Sequence, residues 1–266
     1  MIPISMKKLI LFFMIFLAYS QLCAQDEENI FTDRPNATDA IALISPGTFQ
    51  IEAGVLSQWN KEDGIKYNWI TSPNLSIKYG IANWLEMRVL TNYLTLKAES
   101  ETIEATTSGL TPITLSPKIK LIKQNFWIPA ASLATNFTLP DTGKETFQTD
   151  KLNYGFRLLL EHVFNDKYSW SHGFGADWDD SRETTWAYSS SFATAVTGKL
   201  GAFVELYGYF ATDITSSHNF DAGFTYLASH NLQLDTSFGL PLNENAPDFF
   251  ISFGAAWKTN LKNENY

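Results

Sequence analysis

Charged side chains recur at every second position in several stretches whose intervening residues are apolar. The acidic members are Glu52, Glu86, Glu161, Asp177, Glu205, Asp221 and Asp235, and the basic members are Lys78, Arg88, Lys118, Lys120 and Arg157. An isolated charge inside a protein is costly, so opposite charges gathered in one interior are expected to pair. Two interpretations stay open: a network of ion pairs that fills and rigidifies an interior, or a polar pathway with a slight preference for cations.

A second charged group, Thr32-Asp33-Arg34-Pro35, precedes the first of these stretches. If Arg34 pairs with an interior carboxylate such as Glu52, the residues around it form a short plug. The alternative is a tail outside the interior, since terminal segments are often unordered unless they dock. A third arrangement pairs Asp33 with Arg34 itself.

The residue types give little support for catalysis or for metal binding. His162 and His172 share one parity, as a lipid-facing hydrolase would need, but both lie beside a turn, and no G-x-S-x-G elbow occurs. A group of four acids resembles a solvated loop more than a Ca²⁺ or Mg²⁺ site: it comprises Asp177, Asp179, Asp180 and Glu183. We predict no enzyme activity, no metal and no cofactor. The net charge of -9 argues against a nucleic-acid partner.

The elements that carry these charges are predicted to be β-strands of about ten residues. Apolar Phe49, Ile51 and Val55, for example, alternate with Gln50 and Glu52. The same period of two recurs along the chain and gives about twelve strands, each long enough to cross a bilayer when tilted. Aromatic residues concentrate near the strand ends, where interfacial girdles lie in membrane barrels: Tyr79, Trp84, Trp127, Tyr168, Trp170, Trp178, Tyr226 and Trp257.

The connections alternate in length, with exceptions after residues 178 and 211. Tight turns are predicted at Gly80–Asn83, Lys123–Asn125, Asn165–Lys167, Gly198–Lys199 and Ser229–Asn231, and longer loops at Asn60–Gly64, Lys97–Pro112, Pro140–Asp150 and Asn243–Pro247. Short turns at one end and longer loops at the other are typical of outer-membrane barrels, whereas a secreted β-sandwich is the competing fold. We predict an all-β, antiparallel transmembrane β-barrel with both chain ends on the short-turn, periplasmic side.

Residues 1–24 have the pattern of a secretory signal peptide: Lys7 and Lys8 precede an apolar run that is too short to span a bilayer comfortably. Its removal takes the formal charge from -9 to -11 and eliminates Cys23, the one cysteine of the sequence. The prediction then divides the chain into an N-terminal periplasmic or plug segment (25–46), a β-barrel (47–258) and a C-terminal tail (259–266).

Two sets of motifs carry a family resemblance. Residues 32–56 combine Thr-Asp-Arg-Pro with Pro-Gly-x-Phe-Gln-x-Glu-x-Gly, and the closing hairpins contain Asp221-Ala-Gly-Phe-Thr-Tyr, Asn231-Leu-Gln-Leu-Asp and Ala246-Pro-Asp-Phe-Phe-Ile-Ser-Phe-Gly. The sequence resembles bacterial outer-membrane proteins described as transporters of the phenol-degradation meta-pathway type. The resemblance implies a β-barrel transporter and no defined substrate.

The last strand resembles the signal that barrel-assembly machinery reads. Ser252, Gly254 and Trp257 fit its polar, glycine and aromatic positions, while Thr259 stands where a hydrophobic residue is usual. We therefore expect this machinery as a partner during biogenesis, outer-membrane lipid as the surroundings, and an unidentified small solute. The predicted function is a passive transporter or channel for small molecules, including aromatic or hydrophobic ones. The alternatives are a non-conducting barrel that anchors or stiffens the envelope and, less favoured, a lipid enzyme.

Overall fold

A computed structural model describes residues 30–102, 104–211 and 215–260. The predicted signal peptide, Cys23 and most of the predicted C-terminal tail lie outside these residues. The described chain forms thirteen strands: β1 (Thr48–Glu62), β2 (Ile65–Ala82), β3 (Leu85–Glu99), β4 (Glu104–Leu110), β5 (Thr114–Ile122), β6 (Ala130–Thr138), β7 (Asn153–Val163), β8 (Tyr168–Trp178), β9 (Thr184–Ala195), β10 (Leu200–Ala211), β11 (Ser217–Ser229), β12 (Leu232–Pro241) and β13 (Phe249–Asn260). Within the described ranges, no helix is long and apolar enough to cross a membrane.

The strands close into one antiparallel barrel with twelve strand positions. Apart from β4 and β5, each strand pairs with its sequence neighbours, and β1 pairs with β13 over Thr48–Trp59 to complete the ring. β4 and β5 share a single position beside β3, since residues 85–90 of β3 pair with β5 and residues 93–99 pair with β4. The predicted fold class and the count of about twelve strands are confirmed.

Two of the predicted long loops are wrong. β1 continues to Glu62 and joins β2 through Asp63 and Gly64, both at positive φ (48° and 79°). These are the angles of a two-residue hairpin turn that follows the twist of the strands. The predicted loop 97–112 is instead largely strand, because β3 extends to Glu99 and β4 returns along it. The last strand ends at Asn260, two residues beyond the predicted barrel boundary.

The barrel is polar inside and apolar outside. Its buried side chains include Lys78, Arg88, Lys118, Glu52, Glu86, Glu205, Asp221 and Asp235, while its exposed ones include Val204, Leu206, Phe224, Leu234 and Phe253. A soluble domain has the opposite distribution, whereas a barrel that crosses a membrane presents its apolar parity to lipid. The predicted aromatic positions Trp84, Trp127, Trp170, Tyr79, Tyr168 and Tyr226 are all exposed.

Candidate functional site in the barrel lumen

The N-terminal segment 30–47, here called the lumen loop, enters the barrel and returns to the same end. One leg lies beside the start of β1, where Gln50 Nε2 donates to the carbonyl of Phe31 at 2.7 Å. The other leg lies beside Glu86 near the start of β3, which accepts from the amide of Ile44 at 2.8 Å. The apex reaches β9, where the hydroxyls of Thr38 and Ser189 share a hydrogen bond at 2.7 Å. Both legs therefore leave at the short-turn end, and the apex is the deepest part of the lumen loop.

The returning leg crosses β6, β3 and β2 before it joins β1, and its backbone is held by close contacts. Ser132 Oγ donates to the carbonyl of Ile41 at 2.7 Å. The amide of Gly47 donates to the carbonyl of Gly80 at 2.8 Å. Ser45 passes so close that a Cβ at Gly80 would overlap its carbonyl oxygen, so this position accepts only glycine without a backbone shift.

Asp33 lies among three buried cations from three different strands. Its carboxylate is 2.6 Å from Lys78 Nζ, 3.0 Å from Arg88 Nη1 and 3.3 Å from Lys118 Nζ. Burial alone would raise the pKa of Asp33, but the positive charges of Lys118, Lys78 and Arg88 outweigh it and hold that pKa well below its usual value. Asp33 is therefore a fixed anion at neutral pH.

Arg34, the next residue, points to a different part of the wall. Its Nη2 donates to Asp235 Oδ1 at 3.1 Å and to Ser252 Oγ at 2.8 Å. The guanidinium lies over Gly54 and Gly254, which face each other across the β1–β13 pair, and a Cβ at either glycine would overlap it. The two glycines thus form a groove that admits the planar group.

The sequence-based partner of Arg34 differs from the observed one. Glu52 forms an ion pair with Lys78 at 2.5 Å, and it accepts the backbone amides of Asp33 (3.1 Å) and Arg34 (3.2 Å) rather than the guanidinium. The suggested pair between Asp33 and Arg34 is likewise replaced by pairs to the wall. The two adjacent side chains diverge, that of Asp33 to β2, β3 and β5 and that of Arg34 to β12 and β13.

Inward-facing glutamates bind the main chain of the lumen loop at three points. Besides Glu52 and Glu86, Glu205 accepts the amides of Ala37 at 2.6 Å and Thr38 at 2.8 Å, together with the hydroxyl of Thr38. Hydrogen bonds from backbone amides to a carboxylate are charge-assisted and stronger than neutral ones. The lumen loop is therefore held by its backbone as well as by its charged side chains.

Several contact residues were not among the predicted site residues. Asp39 pairs with Arg88 at 2.7 Å, and Asn36 Nδ2 donates to Ser191 Oγ at 2.9 Å. Gln233 Nε2 donates to Thr32 Oγ1 at 2.7 Å. Gln233 and Ser191 are polar, inward-facing residues, so the alternation would have found them if uncharged side chains had been included. Nothing in the sequence marks the residues of the loop apex.

The remaining predicted lumen residues make fewer contacts with the lumen loop. Asp221 is buried directly opposite Glu205 in the β10–β11 register. Arg157 pairs with Asp177 at 2.5 Å on neighbouring strands, and both are partly exposed. Glu161 accepts from Ser171 Oγ at 3.2 Å. Lys120 lies at intermediate burial near the short-turn end, where its amide donates to the carbonyl of Trp84.

A cavity of about 440 Å³ lies between the loop apex and the end of the barrel that carries the long loops. Its lining mixes polar, aromatic and aliphatic side chains, and includes Asn74, Asn136, Arg157, Tyr188, Tyr209, Leu75 and Leu90. Asp33 and Arg88 also reach the cavity surface. The lumen loop therefore forms the floor of a chamber that faces the long loops.

The residues considered for other chemistry lie outside this chamber. His172 stacks at a tilt on Trp170 and His162 stacks on Phe164, with ring centroids 4.8 Å and 6.0 Å apart. In the acidic loop, hydrogen bonds from the side chain and amide of Ser181 lower the pKa of Asp179. Asp180 accepts the amides of Asp150 and Lys151, so this acid stabilises contacts between two loops.

Comparisons with solved structures agree with this architecture. The COG4313 outer membrane channel from Pseudomonas putida F1 superposes with a TM-score of 0.70 at 13% identity, covering 85% of this chain and 99% of the other. The NanC porin gives 0.52 at 8% identity (79% and 100%), and the KdgM porin gives 0.51 at 12% identity (78% and 98%). No curated protein matches the chain in sequence.

The fold and the apolar exterior define an outer-membrane β-barrel. Residues 32–259 match the family described as "Putative MetA-pathway of phenol degradation", and the chain belongs to that family. The family resemblance drawn from the two sets of motifs is confirmed, as is the outer-membrane location.

Proposed function

We propose that this protein is a passive channel for small molecules whose lumen is closed at rest by residues 30–47. Conduction then requires the lumen loop to leave or to shift within the barrel. The wall bears inward-facing charges, and a solute chamber of about 440 Å³ faces the long loops. The proposal assigns no catalytic role to the chain.

One observation carries this proposal: the lumen loop is bound to the wall by individually strong, but separable, polar contacts. Asp33 and Arg34 pair with four charged wall residues, and Glu52, Glu86 and Glu205 accept its amides. Four apolar side chains of the lumen loop, Ile30, Ile41, Leu43 and Ile44, are also buried and add to these polar contacts. A polar interface of this kind can be rehydrated when it opens, which suits a reversible closure better than a permanent core.

The first experiment is single-channel recording of the mature protein in planar bilayers, with and without residues 26–46. We expect short, rare openings in the full chain and sustained steps after truncation. Equal steps in both proteins would refute closure by the lumen loop. Silence in both would refute the channel and favour the alternative of a non-conducting, anchoring barrel.

A disulfide lock provides a sharper version of the same test. Thr38 Oγ1 and Ser189 Oγ are 2.7 Å apart, so cysteines at these two positions place their sulfurs near bonding distance. The doubly substituted Thr38→Cys, Ser189→Cys protein should be silent when oxidised and should open again on reduction. Thr38→Cys alone is the matched control and should not respond to the oxidant. Openings that persist in the oxidised double variant would contradict the proposal.

A further inference from the structure

We propose that the channel takes small solutes that carry one carboxylate, and that Asp33 occupies the binding site of that carboxylate in the closed state. This inference rests on the proposed function and names the class of solute. The lumen loop then acts as a built-in competitor, and the solute opens the channel by replacing the side chain of Asp33.

The site is defined by the carboxylate that already fills it. Lys78, Arg88 and Lys118 come from β2, β3 and β5, are each at most 2% exposed, and all lie within 3.3 Å of the Asp33 carboxylate. Besides their contacts with the lumen loop, Lys78, Arg88 and Lys118 contact Glu52, Ser116 and Glu86 of the wall, and their strands are fixed by the closed barrel. The wall therefore preorganises much of the arrangement. A carboxylate from solution would meet the same donors.

The charge balance of the wall selects a monoanion. Lys78, Arg88 and Lys118 contribute three positive charges, and Glu52 and Glu86, which pair with Lys78 and Lys118, contribute two negative ones. When Asp33 and Asp39, the lumen-loop partners of these cations, have both left, this group of five wall residues has one positive charge in excess. A single carboxylate neutralises that excess, whereas a dianionic phosphate or sulfate leaves an uncompensated negative charge in a buried place.

The chamber gives a solute access to this site without prior removal of the lumen loop. Asp33 and Arg88 both line the chamber, which faces the long loops. A solute carboxylate can therefore approach Arg88 first, where it displaces Asp39, a partly exposed partner at 2.7 Å. Full occupation of the site excludes Asp33, because the three cations offer room for one carboxylate within hydrogen-bond distance of all of them.

Binding can be measured on the full mature chain in deuterated detergent by saturation-transfer NMR. The probe is propionate, which matches the aspartate side chain in length, and propionamide is its neutral isostere. In the Asp33→Asn variant the internal competitor loses its charge, so we expect apparent affinity for propionate at least about tenfold above the wild type, since a closed state reduces apparent affinity by the competent fraction. Propionamide should bind equally weakly to both.

Two further variants determine whether the signal comes from this site. Asp33→Asn combined with Lys118→Met should lose the gain in propionate binding, because one of the three donors is removed. Asp166→Asn, in the turn between β7 and β8, makes the same change of charge away from the lumen and should behave as the wild type. Inorganic phosphate should compete weakly. Stronger binding of phosphate than of propionate would refute the carboxylate assignment, as would equal binding of propionate and propionamide to Asp33→Asn.

A bilayer measurement on the wild-type protein does not depend on whether any variant folds. Sodium propionate should raise the frequency of openings relative to sodium chloride at the same ionic strength, and added propionamide should not. No difference between propionate and chloride, in a protein that conducts after truncation of 26–46, would overturn this inference and leave the channel intact. Silence of the truncated protein would instead overturn the proposed function. The two failures are therefore distinguishable.

Discussion

Arg34→Gln is the perturbation that tests the closure most directly. The Arg34 guanidinium donates to Asp235 at 3.1 Å and to Ser252 at 2.8 Å, and the side chain of Asp235 is fully buried. Glutamine removes the positive charge while leaving a side chain that can still donate one hydrogen bond. The docked state then contains Asp235 without its cation, whereas the undocked state exposes Asp235 to water in the lumen. The penalty therefore falls on the docked state.

The magnitude follows from the cost of removing one partner of a buried ion pair, about 3–5 kcal/mol. Since each 1.36 kcal/mol is a factor of ten, the ratio of undocked to docked protein should rise roughly 150-fold to 5,000-fold. The measurement is the open-to-closed ratio in single-channel recordings at fixed voltage and salt. Arg34→Lys, which keeps the charge but not the planar fork, should give a smaller increase.

Two controls accompany this measurement. Arg182→Gln, in the loop between β8 and β9, removes an equal charge from an exposed position and should leave the ratio unchanged. Migration of unheated samples on denaturing gels reports whether each barrel is folded. An open-to-closed ratio for folded Arg34→Gln within about threefold of the wild type, less than 1 kcal/mol, would refute the view that this ion pair closes the channel.

Three further substitutions test the contacts of the lumen loop and the lipid-facing surface of the barrel. Gly54→Ala places a methyl group where the Arg34 guanidinium lies, without any change of charge. Because the displaced guanidinium makes a weaker ion pair with Asp235, the open-to-closed ratio should rise about tenfold or more. Ser132→Ala leaves the carbonyl of Ile41 without its hydroxyl donor and should raise the ratio about fivefold, equivalent to roughly 1 kcal/mol, in the same recordings. Leu206→Arg puts a charge on the exposed face near the middle of β10 and should destabilise the barrel by about 2–4 kcal/mol. The measurement is the folding yield into lipid vesicles, which should fall, while the open-to-closed ratio of the protein that does fold should not change.

The barrel itself could be predicted from the sequence because a period of two is a direct consequence of strand geometry. Alternation placed Val55 on one face and Gln50 and Glu52 on the other, and the structure has Val55 exposed and both polar residues buried. The failures came from connections. Asp63-Gly64 is a strong hairpin signal, but the polar residues around it suggested a loop. The sequence of β4, Glu104–Leu110, has no clear alternation, whereas that of β5 does.

The partners within the lumen could be predicted only in part. Parity shows which charges face inward, but it contains no information on their depth or on their neighbours across the barrel. The Arg34–Asp235 pair joins residues 201 positions apart in the sequence, and it depends on the groove formed by Gly54 and Gly254. Such a contact follows from the closed ring and from the path of the lumen loop, neither of which is a local property of the chain.

The position of Asp33 and Arg34 beside the β1–β13 pair also bears on how the barrel resists lateral separation. This pair joins the two strands most distant in sequence, so its formation carries the largest loss of chain entropy on closing the ring. Asp33 and Arg34 bind Glu52 on β1 through their amides, and Arg34 binds Ser252 on β13 and Asp235 on β12 through its side chain. Asp33 and Arg34 therefore link β1 to β12 and β13 from inside the barrel. Withdrawal of the lumen loop removes these contacts. Amides along β1 and β13 should therefore exchange with solvent faster in the conducting state than in the closed state.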